Sequence, residues 1–348
     1  MRRGRRSGLY SVIAVHSTAR GPSLGGCRMW TYEDSRAAVR DALRLSRAMT
    51  SKSAVAGLPL GGGKGVIVLP AGALAPAADE RRDALLDFGD SVDQLGGRYV
   101  TAEDVGTSAD DMTVIAERSA HVAGLALDRG GSGDPSPWTA LGVEIAIRAT
   151  CERIWGTADL ADRSIAVIGL GNVGGALARG LAAGGAALVL ADVAPAKRAL
   201  AGELGAAWSE PEQALHADVD LVAPCTLGGI LDHASVPLLR CRAIAGAANN
   251  QLAAEAVAAE LHGRGILWAP DFVANAGGII NIAVELEPEG YAPERARTRV
   301  LAVGETLRTL FDMAEAAGST PLAAAQQLAR ERLDPVRSAA SGSRAGEA

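Results

Sequence analysis

Three of the chain's 34 basic residues are lysines, Lys52, Lys64 and Lys197; the rest are arginine. A chain so biased keeps an amine mainly where a guanidinium will not serve. Arginine stays protonated at any workable pH, whereas lysine is a compact amine whose pKa falls on burial. Lys52 and Lys64 lie 12 residues apart in MTSKSAVAGLPLGGGKGVIV. That stretch is apolar and glycine-rich, which favours burial and close approach of backbone to a ligand. The two lysines read as a pair of site amines; the bland alternative is two leftover surface residues of a codon-biased chain. If the substrate is a small amino acid, its oxidation needs a cation for the carboxylate, a group that takes protons from the ammonium, and an activator for water. Lysine suits the first and, with a pKa depressed from ~10.4 towards ~7–8, the last. Asp104, in TAEDVGT, is the best acid/base candidate, because it lies where a strand runs into a glycine turn. Glu103 alternates to the opposite face and reads as structural.

A second constellation is SIAVIGLGNVGGALARG, which carries Gly169, Gly171 and Gly174 as G-x-G-x-x-G. An apolar β-type run precedes the glycines and an alanine-rich helix follows, opened by Asn172 and Val173. The first glycine allows the tight turn and the second lets backbone approach a pyrophosphate. The third lets helix and strand pack closely, and the helix N-terminus stabilises the negative charge. Asp192 ends the next strand, 18 residues beyond Gly174. An acidic residue there accepts ribose hydroxyls and repels a 2′-phosphate, which favours NAD over NADP; Lys197 and Arg198 nearby soften that preference. A nicotinamide cofactor implies hydride transfer. The loops APCTLGG (223–229) and GAANNQ (246–251) would line the cleft at the sheet's C-terminal edge. Asn249 and Asn250 stand there either as ligands of the carboxamide or substrate, or as turn-formers.

The elements that must position these groups follow from periodicity. Residues 8–16 read as a strand and 35–50 as a helix with Val39, Leu43, Ser46 and Met49 near one stripe. Lys52 then falls just after the helix end, and GLPLGGGKG is a loop leading into a strand at Val66–Leu69. Residues 81–96 read as a helix, RYVTAEDVG as a strand entering a loop, and 110–117 as a helix start. The Gly/Ser/Pro-rich 128–142 is the best hinge candidate, with a helix from Thr139 to Arg153. From Ser164 short apolar runs alternate with helices, the spacing of βαβ units and a parallel sheet. A helix capped by Thr320–Pro321 follows, and the small, polar tail at 336–348 reads as disordered.

Bulk properties narrow the class. A length of 348 residues accommodates two ordinary domains, and 48% hydrophobic against 21% charged residues implies a sizeable core. A net charge of −6 argues against nucleic-acid or anionic-membrane partners, which need a basic face. LYSVIAVH is too short for a signal sequence, and no run reaches the ~18 apolar residues of a membrane helix; a cytoplasmic protein is expected. Cys27, Cys151, Cys225 and Cys241 form no C-x-x-C pair, so free thiols and no metal site are expected.

GPSLGGCRMW, ALRLSRAMTSKSAVAGLPLGGGKGVIV, RYVTAEDVGT, SGDPSPWTALGV, GLGNVGG, APCTLGG, IAGAANNQL and APDFVANAGGIINIA occur in order along the chain. In this series the chain resembles the leucine/valine/phenylalanine dehydrogenases of the amino-acid dehydrogenase superfamily, leucine dehydrogenase most of all. The resemblance implies an α/β fold of two domains with a cleft between them. One is an N-terminal catalytic domain with a mixed sheet, residues 1–135, joined by a C-terminal helix at about 317–335. The other is a Rossmann-type doubly wound NAD-binding domain, residues 136–316. It implies a homo-oligomer and the reaction L-amino acid + NAD⁺ + water giving 2-oxo acid + ammonia + NADH, by hydride transfer, an imine and attack by water. Carried over by position, Lys52 binds the substrate carboxylate, Lys64 activates water and Asp104 shuttles protons with the amine. Gly25 and Gly26 lie under the substrate. Asn249 lies near nicotinamide and substrate, and Thr139 contacts the nicotinamide amide. Leu24, Ala102, Ile279 and Ile282 match the side-chain pocket. All four are apolar, which favours leucine, isoleucine or valine; one methylene is worth only ~1–3 kcal/mol there, so all three are expected to react. An aromatic or unusual amino acid, and an inactive NAD-binding scaffold or sensor, are the alternatives.

Overall fold

The computed structural model describes residues 1–70, 72 and 76–334; the tail at 336–348 lies outside the described residues. The chain divides into two compact units, one of Met1–Asp134 with Asn281–Pro293 and the stretch from Leu328, the other of Pro135–Ile280 with Glu294–Gln327.

The first unit is built on a five-stranded mixed sheet. Its strands are β1 (Arg2–Arg3), β2 (Tyr10–Ser17), β3 (Ser23–Thr31), β4 (Gly61–Leu69) and β5 (Tyr99–Glu103), in the order β1-β2-β4-β3-β5. β3 runs parallel to β4 and β5, while β2 is antiparallel to β4 and to β1. Helix α1 (Ser35–Val55) covers one face, with Ala38 and Ala42 against Val12, Ala14 and Val66. Helices α2 (Ala78–Asp93) and α3 (Ala109–Ala116) cover the other, burying Leu85, Phe88 and Met112 against Cys27, Ile67 and Tyr99.

Three local expectations are corrected here. The buried face of α1 is Ala38, Ala42, Ser46 and Thr50, whereas Leu43 is 57% exposed. Small residues at i, i+4 let the helix lie close to the sheet; of the expected stripe Ser46 is buried and Val39 packs at the edge of the core, while Leu43 is turned outward. The helix also continues past residue 50 to Val55, ending at Gly57 with φ 71°, so Lys52 sits in its last turn. Strand β4 begins at Gly61, five residues before the expected start, which puts Lys64 inside the sheet.

The second unit carries a six-stranded sheet, parallel throughout. The strands are β6 (Ser164–Ile168), β7 (Ala187–Ala191), β8 (Ala207–Ser209), β9 (Leu221–Pro224), β10 (Ala243–Ile244) and β11 (Leu267–Trp268), in the order β11-β10-β9-β6-β7-β8. Counted from β6 this is the doubly wound order 3-2-1-4-5-6, whose switch point lies between β6 and β9. Helix α4 (Ser136–Trp155) precedes the sheet, and α5 (Asn172–Ala183) joins β6 to β7. The four cysteines are free. No helix among the described residues is long and apolar enough to cross a membrane.

Candidate active site

The site in the first unit begins with the glycines of β4. A Cβ at Gly62 would lie 2.1 Å from the backbone nitrogen of Thr50 in α1. At Gly63 it would lie 2.6 Å from the Tyr99 ring, and at Gly65 2.4 Å from the Phe88 ring. The strand is therefore pressed between helix and aromatic rings, and only glycine permits that approach. Lys64 stands in this run on the α1 side, between Gly62 and Val66 in the alternation of the strand, and is 4% exposed.

Lys64 reaches Asp104 from two strands away. Pairing of Leu24 with Gly62 and Cys27 with Gly65 puts Gly26 of β3 beside Lys64, and Gly26 pairs on its other side with Ala102 of β5. A Cβ at Gly26 would lie 2.7 Å from the Asp104 Cβ and 2.5 Å from the Glu103 carbonyl oxygen. The missing side chain lets the end of β5 and Asp104 lie close against β3, beside Lys64. Lys64 Nζ lies 2.7 Å from Asp104 Oδ2. Gly25 sits one residue earlier, its carbonyl accepting the Tyr99 hydroxyl at 2.5 Å, and a Cβ there would strike the Gly63 carbonyl.

Asp104 opens a turn just past β5. Its N–H donates to Thr107 Oγ1 at 3.0 Å, the Thr107 N–H returns to the Asp104 carbonyl at 2.9 Å, and the Thr107 hydroxyl donates to the Cys27 carbonyl. Arg28 Nε lies 2.9 Å from the same Oδ2 that faces Lys64. Asp104 Oδ1 makes no hydrogen bond to any described residue. Burial raises the Asp104 carboxyl, but Lys64 and Arg28 outweigh it and hold the group below the usual carboxylate range. Burial lowers the Lys64 amine below the usual lysine value, against the pull of Asp104 and with help from Arg28. Glu103 does alternate away, to the face of Tyr99. Burial, with Asp134 nearby, pushes its carboxyl up to about 7.

Leu24 and Ala102 are buried on the Lys64 face of the sheet, and Ile282 is buried in the same unit. Ile279, Thr139 and Asn249 belong to the second unit. There the Thr139 hydroxyl donates to the Pro135 carbonyl, and Asn249 Oδ1 accepts from Asn275 Nδ2 at 2.9 Å. Asn250 has φ 53°, the left-handed backbone of a turn-former. Arg28, Asp41, Thr107 and Asn275 were missed by sequence reasoning. Each is a common residue type, and only the fold brings the first three round Asp104 in the first unit and Asn275 onto Asn249 in the second.

The glycine loop closes β6 onto α5. Gly169 has φ 94°, and a Cβ at Gly174 would lie 1.9 Å from the Gly169 carbonyl oxygen. Gly171, by contrast, faces open space and caps α5 without any side-chain hydrogen bond. The first N–H groups of α5, from Asn172 and Val173, are thus left for an anion, which fits a pyrophosphate. Asp192 Oδ2 accepts the Leu170 N–H at 2.6 Å and Oδ1 the Ala194 N–H at 2.8 Å. A groove of about 480 Å³ beside the loop is lined by Gly171, Asn172, Arg179 and Lys197 among others. No group of three or more His, Cys, Asp or Glu among the described residues could hold a metal ion.

Residues 1–121 match the family described as Glu/Leu/Phe/Val dehydrogenase, dimerisation domain, and residues 195–334 the Glutamate/Leucine/Phenylalanine/Valine dehydrogenase family. Residues 164–224 match a family of F420-dependent NADP oxidoreductases. The chain is 42% identical to leucine dehydrogenase of Bacillus subtilis (strain 168), over 95% of this chain and 90% of that protein. It is 42% identical to valine dehydrogenase of Streptomyces virginiae over 96% and 92% of the two chains. The crystal structure of L-tryptophan dehydrogenase from Nostoc punctiforme superposes with a TM-score of 0.81 at 39% identity, covering 94% of this chain and 93% of that one. A hetero-hexameric glutamate dehydrogenase from Thermus thermophilus gives 0.79 at 25% identity, covering 93% and 83%.

Proposed function

The chain belongs to the glutamate/leucine/phenylalanine/valine dehydrogenase family, and on that premise we propose that it catalyses the NAD-dependent oxidative deamination of a branched-chain L-amino acid. The observation that carries this reading is the contact of buried Lys64 with part-buried Asp104 at 2.7 Å. A lysine poised below its usual pKa beside an ionised carboxylate is what water attack on an imine requires. Leucine and valine dehydrogenases at 42% identity support the branched-chain substrate.

In this reading an L-amino acid, NAD⁺ and water give a 2-oxo acid, ammonium, NADH and a proton. Lys52 binds the substrate carboxylate, its amine at the C-terminal turn of α1 being favoured by the helix dipole. Asp104 takes the proton that the substrate ammonium must lose, and NAD, when bound, supplies the hydride acceptor. Lys64 in its neutral form then accepts a proton from water attacking the imine carbon, and Asp104 returns a proton to the departing amine. Gly25 and Gly26 form the floor, Leu24, Ala102, Ile279 and Ile282 the side-chain pocket, and Asn249 and Thr139 orient nicotinamide and substrate. Gly169, Gly171, Asn172, Val173 and Gly174 hold the pyrophosphate and Asp192 the ribose. Residues 1–135 with the C-terminal helix act as the catalytic domain and 136–316 as the nucleotide domain. The protein works as a cytoplasmic homo-oligomer; the dimerisation-domain match and the hexameric relative support assembly.

The test is NADH formation by the purified chain at mildly alkaline pH against a panel of L-amino acids. Fastest turnover on leucine, isoleucine or valine is expected. Preference for tryptophan or phenylalanine would transfer the assignment to the aromatic substrates, and NADH binding without turnover on any member would sink it in favour of a binding protein. Lys64→Ala should lower kcat by about 10²–10⁴-fold, the usual contribution of a proton-transfer group.

A further inference from the structure

Arg28 has two carboxylate partners and a place at the centre of the first unit. Its Nε lies 2.9 Å from Asp104 Oδ2, and its Nη1 lies 3.1 Å from Asp41 Oδ2 on α1. Asp41 is itself fixed, accepting the Tyr32 hydroxyl at 2.7 Å and Arg44 Nη2 at 2.8 Å. One planar guanidinium therefore ties the turn after β5 to helix α1, a span that a point-charge amine cannot bridge with two oriented bonds. Both cations at Asp104 use one oxygen, Oδ2.

We propose that Arg28, anchored by Asp41, is the positioning residue of the reaction: it clamps Asp104 Oδ2 so that Oδ1 is the oxygen offered to the substrate amine. It also keeps Asp104 ionised after Lys64 has given up its proton. This rests on the amino-acid dehydrogenase reading above. The need for it is electrostatic. Lys64 must enter the reaction neutral to accept a proton from water later, and until Asp104 takes the ammonium proton its part-buried carboxylate, paired with neutral Lys64 alone, would face no cation of the protein. Its charge would then be costly and its proton affinity would climb. A permanent guanidinium on the same oxygen removes that conflict, because arginine does not titrate in the working range.

The experiment measures kcat/KM against pH for wild type, Arg28→Gln, Arg28→Lys and Asp41→Asn, with NADH binding and thermal melting as controls of folding. Arg28→Gln should lower kcat by at least ~10-fold and move the acid limb of kcat/KM upward by about one pH unit, because the lost guanidinium holds down both the Asp104 carboxyl and the Lys64 amine. Arg28→Lys keeps the charge without the two-carboxylate bridge, so its kcat should fall while its acid limb stays within a few tenths of wild type. Asp41→Asn should behave like Arg28→Lys. An Arg28→Gln variant with the wild-type limb would overturn the proposal, whether or not its kcat falls, since a merely structural role lowers activity without moving the profile. If Arg28→Gln does not fold, an Arg28→Lys enzyme of wild-type kcat overturns it instead. Absence of amino-acid turnover by the wild type would count against the underlying reading; wild-type turnover with unmoved variants counts against Arg28 alone.

Discussion

At the scale of the residue, the site depends on one atom that is missing. Gly26 lies between Lys64 and Ala102 across three strands, and a methyl group there meets backbone that cannot swing away. Gly26→Ala should displace the end of β5, part Lys64 from Asp104 and lower kcat by about 10²-fold, the cost of roughly 1 Å of misplacement. Fluorescence titration should show NADH binding within twofold of wild type, since the glycine loop belongs to the other unit; a fully active variant would refute this account of the close approach at Gly26. The titration of the pair follows from its surroundings. Burial holds Lys64 below the ordinary lysine pKa, so kcat/KM should rise with pH and level off before the range where free lysine titrates. Lys64 and Asp104 stand out in the sequence because lysine is rare in this chain and Asp104 precedes a glycine turn, and the fold brings the two into contact. Arg28 was not, because in a chain where nearly every cation is arginine no single arginine stands out.

At the scale of the element, the sequence showed type better than extent. The parallel sheet of the second unit and its glycine loop were readable from apolar runs, most clearly at β6, which runs straight into Gly169 and α5. Strand β4 was cut short because Gly61, Gly62 and Gly63 look like a loop; glycine weakens a strand and is found in one where another backbone comes close. The face of α1 was misread for a related reason. Apolar periodicity marks large side chains, while this helix packs with alanine, serine and threonine so that it can lie against those glycines. The corrected face makes a prediction that the first reading would reverse. Ala42→Leu should destabilise by ~1–3 kcal/mol through overpacking, while Leu43→Ala on the outer face should stay within ~0.5 kcal/mol of wild type. Urea denaturation of both variants decides between the two faces.

At the scale of the whole molecule, one half-buried acid gives stability a pH dependence of unusual sign. Glu103 has its carboxyl pushed up to about 7, above its ordinary value of 4.5. The folded state therefore binds more protons than the unfolded chain between those values, and this contribution, full below about 4.5, is lost as pH rises through about 7. Glu103→Gln should remove that loss, so its melting temperature should gain on wild type at pH 8 relative to pH 5; a constant difference across that range would contradict the assignment. Asp192 carries a consequence of another kind. Both of its oxygens already hold backbone, the Leu170 N–H in the glycine loop and the Ala194 N–H beyond β7. The residue that would choose between cofactors is thus also a strut of the loop that grips them. Anyone redesigning this enzyme to run on the phosphorylated coenzyme by exchanging Asp192 alone would slacken the grip on both coenzymes, and would need to rebuild the Leu170 anchor in the same step.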